Sequence, residues 1–485
     1  MTHYQTSTFN WDTVFAIPIT EVNRAIKEQK SSPENFQFQN DYSDYEGEFG
    51  DWQITSGGDG NNIRMNIPIR NFKTLLKDFI PGEFGFESAE LTIQVKLNYL
   101  PHHASDTTGP EQLYQLKIRS TSSDSFDPAV VGISLNKVEG MFGYNPSFEE
   151  LLMVIFKVQM VDWLNPNLGY FSHIFNVVNL NLYIDNSAEW AWCTPSYVDY
   201  AYTDIEGNLD KSLLGVLCMT GGRQGGVNQQ QLLDPRAIPP SSNAAFLIAE
   251  ERFLKDVLWP TLPEKFIYSS MDDYEVVNNS GENGNYQYIL QLKKDKSIRL
   301  DDIQDSGSTY TPFMKELRLG LVGDEMWLKT YTETPLNAHA KATCRTKNTY
   351  NLVLTKNGNG EQTITYKEVK EPIVDTDIIQ EGGGSLYPWI ILALEVIGLA
   401  ILTIMTSGAT LLISAIIVSI LFGTLALLPQ IIDVLTPVNS PSIDKMLLKS
   451  IGHIKWNASD IFELDYAALA GPLQLGGRLL STNAS

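Results

Sequence analysis

Cysteine and basic residues are what this chain has least of. Its 485 residues include three cysteines, Cys193, Cys218 and Cys344, which are too few and too far apart for a disulfide framework or a zinc-ligand spacing. Lys and Arg total 35 against 57 Asp and Glu, a formal charge of -22. Such a surface repels phosphate backbones and anionic membranes, so nucleic-acid binding is excluded as a general activity. The first residues, MTHYQTSTFNWDTVF, show neither a basic nor an apolar leader segment. The expectation is a protein made in the cytoplasm and, if released, exported by a non-classical route. The six histidines form no HExxH pattern, and His102-His103 follows Pro101 in a loop-like setting. Adjacent histidines cannot share one face of a helix or strand, so this pair reads as solvent-exposed. No cofactor or metal is implied. The acidic groups at Asp41–Asp51 and at Asp301, Asp302 and Asp305 lack EF-hand spacing. GGRQGG at Gly221–Gly226 lacks the Lys-Ser/Thr of a phosphate loop and reads as a turn. The aromatic AEWAWC at Ala188–Cys193 reads as core, and no nucleophile–base pair can be assembled.

Against this acidic background stands an apolar block, Leu386–Leu428, with a single charge at Glu395. Runs of 18 or more apolar residues ordinarily mark a membrane-spanning helix, and this one is about twice that length. Thr403, Thr406, Ser407 and Gly408 interrupt it, which predicts an apolar hairpin of two helices, Trp389–Leu402 and Leu411–Leu425. Lys and Arg are absent from Glu371 to Asp444, so no positive-inside signal orients a membrane anchor. Burying about 30 such side chains at roughly 1.5–3 kcal/mol each amounts to several tens of kcal/mol, so exposure to water is untenable. The hairpin is therefore expected inside the fold, with membrane contact possible but no constitutive anchor. Glu395 would then need a partner or a raised pKa. Thr403, Ser407, Thr410 and Ser414 form a small polar stripe for close helix approach or for contact with water.

Elsewhere helices are few. Trp11–Gln29 is predicted as one helix capped by Thr20, with Val22, Ala25 and Ile26 on its inner face. Ser241–Trp259 is predicted as another, stopped by Pro260. Most of the remainder alternates with period two. Leu91, Ile93, Val95, Leu97 and Tyr99 define one half-buried strand. Further strands are predicted at Met153–Val161, Phe175–Ile184, Tyr286–Leu292, Met314–Leu321, Met326–Tyr331, Tyr350–Leu354, Thr363–Val369 and, closing the chain, Ala467–Leu480. Turn clusters at Ser56–Asn62, Thr220–Gly226, Asn278–Asn285 and Lys356–Gly360 separate many of them. Long half-polar strands imply antiparallel sheets with one wet face.

Three segments carry a resemblance. Trp11-Asp12-Thr13-Val14 with Val22-Asn23-Arg24-Ala25-Ile26, then NAAFLIAEERFLKDVLWP at Asn243–Pro260, then LAGPLQLGGRL at Leu469–Leu479 resemble the forty-seven-kilodalton and OrfX proteins of clostridial neurotoxin and insecticidal toxin gene clusters. The resemblance implies a TULIP (tubular lipid-binding) fold, in which long curved antiparallel sheets wrap long helices. The expected class is α+β, mostly β, in two halves at residues 1–240 and 241–485, the second holding the hairpin. The family has no known catalytic residues, so none are assigned and no enzyme is expected. The function so implied is non-enzymatic binding of a lipid or other long apolar ligand, as an accessory of a toxin cluster. Scaffolding of a toxin complex without ligand and membrane insertion through the hairpin are the alternatives. Partners would be the apolar ligand and other proteins of the cluster. Candidate lining residues are Phe246, Leu247, Phe253, Leu254, Val257, Leu258, Trp389 and Glu395, and the densest basic run, Lys293, Lys294, Lys296 and Arg299, is the place for any headgroup contact.

Overall fold

The structure is a computed structural model. It describes residues 5–77, 82–102, 111–119, 129–181, 190–280, 286–305, 307–380, 388–422, 442–444, 447–448, 451–457 and 461–480. As the period-two patterns imply, it is mostly β, built from two large antiparallel sheets and few helices. Among the described residues the larger sheet has 15 strands and the smaller eight. In the larger one the strand Phe84–His102 realises the predicted alternation, with Leu91, Ile93, Val95 and Leu97 all buried. Its neighbour Asn62–Leu76 pairs along it from Asn62↔Lys96 to Thr74↔Phe84. The eight-stranded sheet lies within residues 274–380, and its long strands Glu325–Asn337 and Ala340–Lys356 form a hairpin.

The larger sheet does not break at residue 240. Its central run is Leu213–Thr220, Thr13–Pro18, Ala244–Ile248, Leu473–Leu480 and Ile461–Leu469. Strands from both expected halves therefore share one hydrogen-bonded ladder. The closing segment Ala467–Leu480 is a hairpin rather than one strand. Gly471 has a φ of 84°, which a residue with a Cβ rarely adopts, and this lets the chain reverse there.

Four further elements depart from the sequence reading. Met153–Val161 is part of a helix, α2 (Glu149–Asn167), following α1 (Ile19–Gln29). Its apolar residues surround the axis, so no helical period shows in the sequence, yet Leu152, Phe156, Met160 and Leu164 are buried at steps of four. The predicted helix Trp11–Gln29 begins as the strand Thr13–Pro18, and α1 is capped at Pro18 rather than Thr20. Val22, Ala25 and Ile26 are buried on α1, as its pattern required.

The predicted helix Ser241–Trp259 is half strand. Ala244–Ile248 is covered on both faces, and a strand buried on both sides loses its alternation. Helix α3 (Glu250–Arg252) follows and runs into a π-helical turn, Phe253–Leu258, before α4 (Thr261–Lys265).

The apolar block is a single helix, α5 (Pro388–Phe422), with no turn at 403–408. Two of the hydroxyls expected to break it, those of Thr403 and Ser407, fold back onto its own carbonyls, as does Ser414 further along. Thr403 donates to Leu399 O at 2.9 Å, Ser407 to Thr403 O at 2.6 Å and Ser414 to Thr410 O at 3.0 Å. Ile397, Ile401, Met405, Ala409, Leu412, Ile413 and Ile416 are buried, while Leu399, Thr403 and Ser407 look outward. The inner side packs on the strands Ala340–Lys356 and Gln362–Glu368 and on α4. Residues 386–387 and 423–428 of the expected hairpin lie outside the described residues.

Candidate functional site

The segments Trp11–Val14, Asn243–Pro260 and Leu469–Leu479 are far apart in the chain and adjacent in space. Phe15 pairs with Phe246, and Phe246 with Leu475, so the three lie on neighbouring strands. Their junction holds a buried ionic cluster. Asp12 immediately precedes the strand Thr13–Pro18; its backbone N–H donates to Cys218 O at 3.0 Å and its carbonyl accepts from Ala249 N at 2.9 Å. Its carboxylate is thereby aimed at the Thr220–Gly226 turn. Oδ2 accepts from the Thr220 N–H at 2.8 Å, and Oδ1 lies 2.8 Å from Arg223 Nη1. Arg252 enters from α3, with its Nε 3.9 Å from Asp12 and 3.2 Å from Asp256, and donates to Trp192 O at 2.5 Å. Gly221, at a φ of 62°, permits this approach, since a Cβ there would sit 2.7 Å from Arg252 Nη2.

Burial pushes the Asp12 carboxyl up, and Arg252 and then Arg223 pull it back. Burial likewise raises Asp256 to about 6, again opposed first by Arg252. The π-helical turn carries Asp256 at this junction, and such turns recur at functional sites. Sequence reasoning dismissed the glycine-rich turn once its phosphate-loop pattern failed. The overlooked signal was an arginine inside it and an aspartate opening an apolar strand.

The predicted lining residues divide. Phe246 is in the main core with Phe253, Leu254, Val257 and Leu258, while Leu247 points to a second cluster with Trp11, Val14 and Leu217. A strand sends neighbours to opposite faces, so Phe246 and Leu247 cannot line one groove. All six are closed off from solvent. Trp389 and Glu395 fall on α5, and their side chains lie outside the described residues.

An apolar cleft opens next to them. Phe15 lies edge-on to Phe246, Trp456 and Phe462, with ring centroids 6.0, 6.0 and 5.6 Å apart. Together with Leu447, Leu448, Ile451, Ile454 and Leu479 it borders a cleft of about 650 Å³, with Asp444 and Lys455 also in its lining. Volumes of this size suit small-molecule ligands.

The family model described as OrfX-like: Protein OrfX2/OrfX3/P47 matches residues 8–477, spanning the first two signature segments and most of the third. The chain belongs to the OrfX-like family. It is 52% identical to Protein OrfX3 of Paraclostridium bifermentans over 485 residues, covering 98% of this chain and 99% of that protein. To Protein OrfX3 of Clostridium botulinum (strain Kyoto / Type A2) it is 44% identical, covering 99% and 100%. Its fold is similar to the solved structure of P47 from Clostridium botulinum A2, with a TM-score of 0.59, 16% identity and 98% of each chain covered.

In this OrfX-like chain three of the four residues of the basic run are committed to near neighbours. Lys293 donates to Asp272 O at 2.7 Å, and Lys296 pairs with Asp273 at 3.1 Å. Arg299 pairs with Asp302 at 2.8 Å and lies 4.8 Å above the Tyr268 ring. His102 ends its strand, and His103 lies outside the described residues.

Proposed function

We propose that this OrfX-like protein is a non-enzymatic accessory of a bacterial toxin gene cluster that binds a lipid or similar long apolar ligand. The observation carrying this reading is the cleft bounded by Phe15, Leu448, Ile451, Trp456 and Phe462, whose walls are largely apolar. Aromatic and aliphatic walls with few polar groups reward burial of hydrocarbon and discriminate weakly among chains. The TULIP arrangement, in two halves divided near residue 240, belongs to the same reading, with the dividing strands sharing one sheet.

The test is titration of the full chain with a fluorescent fatty acid and a fluorescent phospholipid. Saturable binding that falls about tenfold in a folded Ile451→Gln variant is expected, the loss of roughly one buried aliphatic contact. Folded wild type that binds neither probe would sink the reading.

Scaffolding within a toxin complex is the second reading, and α5 favours it. That helix fills the inner face of the eight-stranded sheet with the protein's own side chains, leaving Ile401, Leu412 and Ile416 closed where a ligand channel would run. Retention of a cluster protein by wild type that binds no lipid would decide for it.

A further inference from the structure

A second, polar cleft of about 480 Å³ lies between the N-terminal segment and the start of α3, with Phe9, Trp11, Glu250, Glu251 and Tyr288 among its walls. Glu250 is the group out of place there. It is 8% exposed. Its Oε1 accepts from the Tyr288 N–H at 3.1 Å, and among the described residues it has no ion pair. Every other carboxylate nearby is matched: Asp12 by Arg223, Asp256 by Arg252, and Glu251 by Lys255. Arg236, also at the cleft, is held two-pronged by Asp234 at 3.0 Å through each nitrogen. The cleft therefore offers a desolvated carboxylate and, among the described residues, no free cation to answer it.

We propose that this cleft binds an organic cation of the alkylammonium class, with Glu250 as its counter-ion and Phe9 and Tyr288 as its aromatic walls. A carboxylate supplies the charge and aromatic rings accept a cation on their faces, a combination that suits an ammonium group carrying hydrocarbon. A divalent metal would need several oxygen ligands, and the described residues hold no group of three or more His, Cys, Asp or Glu placed for one. An anion would meet Glu250 and Glu251 with Arg236 already taken. The charged and titratable groups facing the cleft beside Glu250 are Asp12, Arg236, Glu251 and Tyr288. Burial raises the Glu250 carboxyl to about 8, the Tyr288 N–H being the opposing influence, so the site is ready for a cation only as that proton leaves. The inference is independent of the apolar cleft.

The experiment is calorimetric titration of the full chain with butylammonium and tetramethylammonium chlorides, with sodium chloride at equal ionic strength as control. Saturable binding by the ammonium probes is expected near pH 8.5, weaker by roughly tenfold or more near pH 6.5. At the lower pH the heat should vary with the buffer's ionisation enthalpy, because binding expels the Glu250 proton. Glu250→Gln should lose at least about tenfold in affinity, while Glu251→Gln should stay within about threefold. The buffer-dependent heat on wild type serves if Glu250→Gln does not fold. Absence of saturable binding near pH 8.5, equal competition by sodium, or full affinity in folded Glu250→Gln would overturn the proposal.

Discussion

Arg223 Nη1 lies 2.8 Å from Asp12 Oδ1, tying the glycine-rich turn to the first residues of the central strand. Asp12 is almost fully buried, and Arg223 is about a third exposed, at 36%. Asp12→Ala should therefore cost about 3–5 kcal/mol, because it leaves the buried Thr220 N–H without its acceptor and Arg223 without its near carboxylate, with Asp256 alone facing Arg252. Arg223→Met should cost less, with a coupling to Asp12 of about 1 kcal/mol, since solvent screens the exposed end. Urea unfolding of the two single variants and the double variant measures both. A loss under about 1 kcal/mol in Asp12→Ala would deny the cluster its structural role.

Glu250 gives the protein a pH dependence of definite sign. Its carboxyl stands at about 8 in the fold against an ordinary 4.5, because burial disfavours the charged form. The folded state then holds a proton that the unfolded chain has released. Its stability contribution is complete below about pH 4.5 and is lost as pH rises towards 8. Over that window the change is on the order of a few kcal/mol at most. Thermal unfolding in steps from about pH 4.5 to about pH 9 should show the decline, levelling off above about 8, and Glu250→Gln should flatten it. An unchanged slope in the Gln variant would mean that other groups set it.

Much of the fold could be read from residues whose partners are close in sequence. Leu91, Ile93, Val95 and Leu97 show a half-buried strand because one face of that strand is wet. Ala244–Ile248 shows nothing of the kind because both its faces are covered. Helix α2 and α5 defeated period reading for a related reason, being apolar nearly all round. The hydroxyls of α5 looked like a break because their capacity to bond their own helix is not visible in composition. The Asp12–Arg223–Arg252 cluster was illegible, since it exists only where three distant segments become neighbours. The family signatures nonetheless marked two of those segments without saying why.

Opposite sides of α5 should answer substitution differently. Leu412 is enclosed by the core, so Leu412→Ala should cost about 2–5 kcal/mol through lost burial and the cavity left behind. Thr403 faces outward and bonds only its own helix, so Thr403→Ala should change stability by less than about 0.5 kcal/mol. Equal losses at the two positions, measured by urea unfolding, would contradict the helix orientation.

Within α5, Leu399–Ile417 is a 19-residue stretch long and apolar enough to cross a membrane. Length alone does not decide the matter, because a bilayer would repay the helix for its own burial. It would not repay the sheet. Withdrawal of α5 would leave Leu328, Tyr350, Leu352 and Ile364 of the inner core facing water, at roughly 1.5–3 kcal/mol each. The helix is also held from both sides. Ile373–Gln380 pairs with the long strand Ala340–Lys356 before it, and Ile461–Leu469 pairs with Leu473–Leu480 after it. The full chain should therefore remain unbound in liposome flotation at neutral pH. Acid could tip the balance only by neutralising carboxylates, and Glu395 is the charge inside the apolar block. Flotation of wild type at neutral pH would refute burial as the resting state. Flotation only near pH 5, reproduced at neutral pH by Glu395→Gln, would establish conditional insertion instead.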